Sequence, residues 1–420
     1  MRARRLFVVL AIVVVGAGLF LAGRASVSSK PVSNPKPSRA IVVKRTFNPS
    51  SVDFSSLDRG WALGTTSCHL RKVCLSLRET NNGGRTWSVR PLPKSLLHVA
   101  DRQVAGAPAV LYGALNAYGA LNLNVHFANP LDGWIYGSLP VPTKSNGQPS
   151  AFMPTSWSTH DGGLTWKPQQ HSLINSQGPV LDLEASSNTA FLIAFNKSFN
   201  FVVESSPVSE DNWRVTDAKG LFTPAGGGPL SGAFVFAGNH GWLVEGNDRG
   251  TTGSAQLNSA GQWVPWTAPC ESVGNSLAVP AASTPRHLVV ECVMGGFASP
   301  LSRTAPRGAT IGSTWLYFSN NAGRTFVAGP ELGRNNVYFG SVLAAPKPTT
   351  ILITRNISPH QELVASFDGG RHWNVVYFGN VSFVHFVSST EGVALVQPTK
   401  GSNQLIMTFD GGYHWFPISF

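Results

Sequence analysis

An eight-residue signature recurs along this chain and limits what it can fold into. Thr80-Asn-Asn-Gly-Gly-Arg-Thr-Trp87 returns as Thr159-His-Asp-Gly-Gly-Leu-Thr-Trp166 and as Ser319-Asn-Asn-Ala-Gly-Arg-Thr-Phe326. It returns again as Ser366-Phe-Asp-Gly-Gly-Arg-His-Trp373 and Thr408-Phe-Asp-Gly-Gly-Tyr-His-Trp415. Degenerate copies end at Trp213 and Trp263. The shared pattern is Ser/Thr-x-Asp/Asn-x-Gly-x-Thr/His-aromatic. An Asp or Asn side chain bonds backbone two residues on, and glycine supplies positive φ at little steric cost. The closing aromatic then opens a strand and buries a large ring. The signature is thus a hairpin turn, and internal repetition of a hairpin implies a repeat architecture.

The seven closing aromatics are spaced by 79, 47, 50, 63, 47 and 42 residues. Four-stranded propeller blades take about 40–50 residues. A second signal precedes many copies: an apolar strand, a polar turn, then Gly-Trp and another strand. Examples run Val52–Phe54 to Gly60-Trp61, Val125–Phe127 to Gly133-Trp134, and Phe234–Phe236 to Gly241-Trp242. Phe383–Phe386 to Gly392 lacks the Trp. Each unit therefore supplies strands A, B, C and D. The predicted fold is all-β: a seven-bladed β-propeller of four-stranded antiparallel blades, two of them carrying insertions. Low charge (13%) and 43 glycines with 29 prolines agree with a turn-rich all-β chain and exclude a coiled coil.

The signature resembles the Asp-box, or BNR repeat, of sialidase-like propellers, sortilin-type receptors and photosystem II assembly-factor-like propellers. The resemblance covers about residues 50–420. It implies a scaffolding role for the turn residues Asn82, Gly84, Trp87, Asp161, Gly163, Trp166, Asn321, Gly323, Phe326, Asp368, Gly370, Trp373, Asp410, Gly412 and Trp415, because in enzymes of this family the boxes lie away from the catalytic face. His372 and His414, in the place of the box Thr, read as structural variants and not as a metal pair.

Met-Arg-Ala-Arg-Arg precedes an uncharged apolar run from Leu6 to Gly23, read as one N-terminal apolar helix ahead of the propeller. Residues 1–25 read as a signal peptide or an uncleaved signal anchor, with the positive-inside bias exporting the remainder. Residues 26–48 read as a Pro/Ser/Lys linker, and 49–420 as the propeller. The expected location is extracytoplasmic, tethered to the cell membrane through residues 6–23 or secreted after cleavage. The net charge of +11 does not mark a nucleic-acid binder. Nine basic residues and no acid lie in 1–52, so 53–420 carry 11 − 9 = +2. Four cysteines in an exported chain suggest disulfides Cys68–Cys74 and Cys270–Cys292. No cofactor or metal is expected, and the chain is read as a monomer.

In such blades the A–B and C–D turns share one face and the B–C and D–A connections share the other. The stretches read as insertions, Pro93–Asn122, Val141–Ser150, Asn247–Gly253 and Gly296–Gly312, fall on the second face, as do both proposed disulfides. Binding surfaces are commonly built on loops held by a rigid scaffold. Candidate contacts there are Tyr112, Tyr118, Lys144, Asp248, Arg249, Arg303 and Arg307. The tyrosines suit packing on the protein's own rim better than stacking on a sugar or a partner.

The expected function is a non-catalytic propeller that binds a protein or a carbohydrate on this loop face. A sialidase-like glycosidase is one alternative, and an assembly-factor-like scaffold for a membrane complex is another. The glycosidase family's three-arginine clamp usually begins in a Phe/Tyr-Arg-Ile-Pro motif, absent here. Arg59 and Arg78 have the wrong neighbours. Glu245, Asp248, Glu271 and Glu291 are carboxylates near the predicted loop face, but sequence does not place them at the ~5–9 Å such chemistry needs. No nucleophile elbow, phosphate loop or His-Glu-x-x-His is present.

Overall fold

The computed structural model describes residues 38–39, 47–68, 72–96, 122–141, 151–169, 171, 180–186, 188–195, 201–216, 231–247, 250–272, 276–294, 313–332, 337–357, 360–398 and 402–420. The leader 1–25, with its predicted apolar helix, lies outside these residues. Among the described residues no helix is long and apolar enough to cross a membrane.

After a two-residue β1 (Ser38–Arg39), twenty-eight strands form seven four-stranded antiparallel sheets in chain order. Blade 1 is β2 (Phe47–Phe54), β3 (Gly60–Cys68), β4 (Lys72–Thr80) and β5 (Ser88–Arg90). Blade 2 is β6 (Asn122–Phe127), β7 (Gly133–Val141), β8 (Ala151–Thr159) and β9 (Lys167–Pro168). Blade 3 is β10 (Val180–Ser186), β11 (Thr189–Phe195), β12 (Phe201–Pro207) and β13 (Arg214–Val215). Blade 4 is β14 (Ser231–Ala237), β15 (His240–Asn247), β16 (Gly250–Leu257) and β17 (Trp263–Pro265). Blade 5 is β18 (Ser276–Ala282), β19 (Leu288–Met294), β20 (Thr314–Ser319) and β21 (Val327–Glu331). Blade 6 is β22 (Val337–Lys347), β23 (Thr350–Ile357), β24 (His360–Ser366) and β25 (Asn374–Phe378). Blade 7 is β26 (Asn380–Phe386), β27 (Gly392–Gln397), β28 (Gln404–Thr408) and β29 (Phe416–Ile418). The four strands of each blade are A to D, from the central axis outward. The fold is a seven-bladed β-propeller.

Each pair of neighbouring blades shares one apolar cluster. Trp61, Leu63 and Leu77 of blade 1 meet Val125, Phe127 and Ile135 of blade 2. Trp61 stacks on Phe127 at 3.5 Å and 4°, a contact worth ~0.5–1.5 kcal/mol beyond its burial. The alternation of strand B explains this. Trp61, Trp134 and Trp242 each follow a Gly at or next to the start of the strand, are fully buried, and each packs against the next blade.

The eight-residue turns fasten blade to blade. In blade 2 the Gly163 N–H donates to Thr159 Oγ1 at 2.9 Å, and the Thr165 N–H and hydroxyl donate to Asp161 at 2.9 and 2.6 Å. Blades 1, 5, 6 and 7 repeat the two backbone N–H bonds on Thr80/Asn82, Ser319/Asn321, Ser366/Asp368 and Thr408/Asp410, and in blades 1 and 5 the Asn Nδ2 donates to the Thr hydroxyl. Where His replaces Thr, its Nδ1 lies 2.5 Å from Asp368 Oδ2 and 2.6 Å from Asp410 Oδ2. The fourth residue of each turn donates its N–H to the A–B turn of its own blade: Gly83 to Asp58, Gly162 to Leu131, Ala322 to Arg286, Gly369 to Thr349 and Gly411 to Thr390. The C–D and A–B turns therefore share one face. The fifth residue, always glycine at φ between +80° and +95°, nests on the preceding blade. Gly163 lies against Leu77, Gly323 against Trp242 and Trp266, Gly370 against Phe318, and Gly412 against Leu352.

The same contact closes the ring, because Gly84 of blade 1 nests on Met407 and Ile418 of blade 7. Among the described residues no strand is exchanged across this seam. Phe47, Phe54, Val393, Leu405 and Met407 pack there with Phe420, whose ring is 4.6 Å from Phe47 and 4.7 Å from Trp87. Asn403 donates from its N–H to Asn48 Oδ1 and from Nδ2 to the Pro49 carbonyl. β1, within the stretch read as linker, pairs in parallel with β25, adding a fifth strand to the outer edge of blade 6.

Candidate functional site

Connection lengths divide the two faces. The longest described turn-face connections, the eight-residue turns, place seven residues between strands C and D, as between Thr80 and Ser88. On the other face, 31 residues separate Arg90 from Asn122, 11 separate Pro168 from Val180, 15 separate Val215 from Ser231, and 19 separate Met294 from Thr314. Asn247–Gly253 is not an insertion: β15 and β16 stay paired to Asn247↔Gly250, leaving a two-residue connection. Tyr112, Tyr118, Lys144, Asp248, Arg249, Arg303 and Arg307 all lie outside the described residues. Cys270 and Cys292 form a disulfide, tying the D–A connection after blade 4 to strand B of blade 5. Cys74 is disulfide-bonded as well.

The described residues enclose a second site, on the axis. A cavity of about 700 Å³ lies where the seven A strands run into their A–B turns. Its wall is set by strand register. Asp53 pairs with Trp61, His126 with Trp134, Glu184 with Phe191, Val235 with Trp242, Ala281 with Val289, and His385 with Val393. These are equivalent positions in six of the seven blades, and strand alternation puts them on the same side of each A strand. Blades 7, 1, 2 and 3 thus contribute His385, Asp53, His126 and Glu184. Blades 4, 5 and 6 contribute Val235, Phe236, Pro280, Ala281, Ala344 and Ala345. The wall is polar on one side and apolar on the other. Nothing in the sequence marks these groups, because each sits singly among apolar neighbours in its own strand.

Part of the polar side is structural. An A strand has a free edge toward the axis, and its N–H groups need partners. Asp53 Oδ2 accepts from the Phe127 N–H at 2.6 Å, and Asp182 Oδ2 accepts from the Phe234 N–H at 2.9 Å. Each carboxylate thereby bridges to the next blade. His126 Nδ1 lies 3.3 Å from Asp53 Oδ2 and 3.8 Å from Glu184 Oε2. Burial alone would lower the His126 pKa, but the charges of Glu184 and Asp53 more than offset it and raise it to about 9. Burial would raise Asp53, yet the His126 charge and hydrogen bond hold it below the usual range. Burial raises Asp182 and Glu184, with the Phe234 N–H opposing at Asp182 and the His126 charge opposing at Glu184. His385 is lowered by burial. Glu184 is the most open of these carboxylates, with a side chain 38% exposed against 7% for Asp53.

Other polar clusters are committed to packing. Ser156 Oγ lies 2.6 Å from His171 Nε2, and His171 Nδ1 lies 2.6 Å from Glu204 Oε2. This has the order of a Ser-His-acid relay, but Ser156 and Glu204 are each 1% exposed and join blade 2 to blade 3. Glu79 takes Arg59 and Arg90 as ion partners, and Arg78 lies over the rings of Phe47 and Phe420. None of these arginines lines the axial cavity. Glu245 is raised to about 8 by burial, with the Thr252 hydroxyl opposing and the Glu271 charge adding to the rise. Both Glu291 carboxyl oxygens are buried without a hydrogen-bond partner, and burial drives its pKa well up. Among the described residues no group of three His, Cys, Asp or Glu could hold a metal ion.

No protein-family model and no curated protein matches this chain. Solved structures do match in fold. One is YCF48 bound to D1 peptide, at 18% identity, with 88% of this chain and 94% of that one covered and a TM-score of 0.50. Another is the β-propeller domain of the Trilobed protease from Pyrococcus furiosus, described as having an open velcro topology: 8% identity, 90% and 99% coverage, TM-score 0.50. A third is the polysaccharide lyase PL25, an ulvan lyase bound to a sulfated disaccharide repeat: 10% identity, 89% and 96% coverage, TM-score 0.51. At these identities the likeness is one of fold.

Proposed function

We propose that this chain is an exported, membrane-tethered, non-catalytic propeller that binds a protein segment or a glycan through its B–C and D–A face. One observation carries the reading: chain in excess of a tight turn is concentrated on that face, 31 residues after blade 1 and 19 within blade 5, while the turn face is closed by short hydrogen-bonded turns. Rigid sheets that present long connections on one side are the usual platform for recognition. The apolar run 6–23 after three arginines supports export and tethering, and the Cys270–Cys292 disulfide is in keeping with an oxidising compartment. The peptide held by YCF48 supports a protein ligand, as does the assembly-factor resemblance of the turns.

The test replaces residues 97–119 and 297–310 by short Gly-Ser turns. Thermal unfolding should show an intact ring. Binding of the unaltered chain to a glycan array and to a tiled array of membrane-protein peptides should be lost in the trimmed one. Equal binding by both, or hydrolysis of a fluorogenic sialoside by the unaltered chain, would overturn the proposal.

A further inference from the structure

The axial cavity lies at the opposite end of the molecule from the loops just discussed, and its chemistry is its own. At about 700 Å³ it has the volume of a small-ligand pocket. Asp53, His126 and Glu184 stand on one side, with the Ser55, Ser388 and Ser389 turns at the rim. No lysine or arginine lines it among the described residues. Asp53 and His126 neutralise one another as an ion pair, and Asp53 is further engaged by the Phe127 N–H. Asp182, bonded to the Phe234 N–H and the Tyr136 hydroxyl, adds a carboxylate behind Glu184. The side chain left with open surface and no close cation of its own is Glu184, 3.8 Å from a His126 nitrogen already shared with Asp53. The facing wall of Val235, Phe236, Ala281 and Ala345 offers apolar contact, with the Ser283 hydroxyl at its edge and no charged side chain.

We propose that this end of the channel binds an alkylammonium group on an apolar stem, carried by a lysine side chain of a peptide or by a free amine. The ammonium sits against the Glu184 carboxylate, and the stem lies on the apolar wall contributed by blades 4 to 6. Occupancy is coupled to protonation. Without a bound cation Glu184 favours its neutral form, because burial opposes its charge and Asp182 and Asp53 repel it, together outweighing the attraction of His126. An entering cation reverses that balance, and Glu184 gives up its proton to solvent as the ion pair forms. The neighbouring titratable groups, His126, His385, Asp53, Asp182 and Tyr136, respond to the same change. Affinity for the cation therefore rises from pH 6 to pH 8.

The experiment is calorimetric titration of the full chain with n-hexylammonium, n-hexanol and acetyl-Ala-Lys-Ala-amide. The expected result is at least tenfold tighter binding of hexylammonium than of hexanol at pH 8, weakening at pH 6, with proton release seen as a dependence of the heat on buffer ionisation enthalpy. Glu184→Gln should abolish the preference and the proton release while unfolding at the wild-type temperature. Loop-trimmed protein should bind the amine unchanged, so this site and the loop face are tested separately. Peptide tighter than hexylammonium identifies lysine as the source, and the reverse identifies a free amine. Equal binding of hexanol, undiminished binding by Glu184→Gln, or no binding of either amine overturns the proposal.

Discussion

Position four and position five of the eight-residue turn are both glycine in four copies, yet they carry different constraints. A Cβ on Gly369 would meet nothing within 4 Å, and the equivalent residue of blade 5 is Ala322 at φ 62°. A Cβ on Gly370, at φ +89°, would stand 2.8 Å from Phe318 of the preceding blade. Gly369→Asn should therefore cost under ~1 kcal/mol, since Asn tolerates the left-handed region, whereas Gly370→Ala should cost ~1–3 kcal/mol. Urea unfolding of the two variants measures the difference. Glu291 is a second residue-scale case. Its folded-state pKa lies well above the ordinary carboxylate value, so the folded protein keeps the proton that the unfolded chain releases. Its contribution is least unfavourable below the unfolded pKa and worsens as pH rises from there toward the folded one. Glu291→Met should stabilise the protein by ~1–3 kcal/mol at pH 8 and by less at pH 4.5, leaving a buried apolar side chain in place of an unpartnered carboxyl. Chemical denaturation at the two pH values checks it, and a larger gain at pH 4.5 would refute the argument.

At the scale of elements, the strands were legible because two signals coincide: alternation within each run and, in blades 1, 2 and 4, a Gly-Trp pair near the start of strand B. Trp87, Trp166, Trp213, Trp373 and Trp415 each directly precede strand D of their blade, as does Phe326, and Trp263 begins it. The axial groups were not legible, because Asp53, His126, Glu184 and His385 come together only through the closure of four separate sheets. A lone polar residue in an apolar strand carries no mark of the company it keeps. The Ser156–His171–Glu204 chain was equally hidden, spread over two blades. The end of β29 makes a prediction at this scale. Removing Phe420 takes away its contacts with Phe47, Trp87 and Arg78, and should cost ~1–3 kcal/mol by loss of aromatic burial. Asn403→Ala should cost about 1 kcal/mol by freeing the Pro49 carbonyl. Thermal denaturation reads both.

For the molecule as a whole, six interfaces join blades that the chain links directly, and one joins its first blade to its last by side-chain packing and the Asn403 hydrogen bonds. Opening that seventh interface stretches no connection, so it should be the lowest-energy subglobal opening. Native-state hydrogen exchange should find the amides of Val125 and Phe127, between blades 1 and 2, better protected than that of Asn403 at the seam. The reverse order would mean that closure is reinforced elsewhere.

β1 alters how such a ring bears load. β1, the segment described ahead of the first blade at Phe47, has its own N-terminal end, Ser38, against the outer strand of blade 6. A tug on that end is delivered to the rim of the penultimate sheet and reaches the packed seam only afterwards. The two-residue pairing acts as a strain relief, like the clip that keeps a cable from pulling on its solder joint.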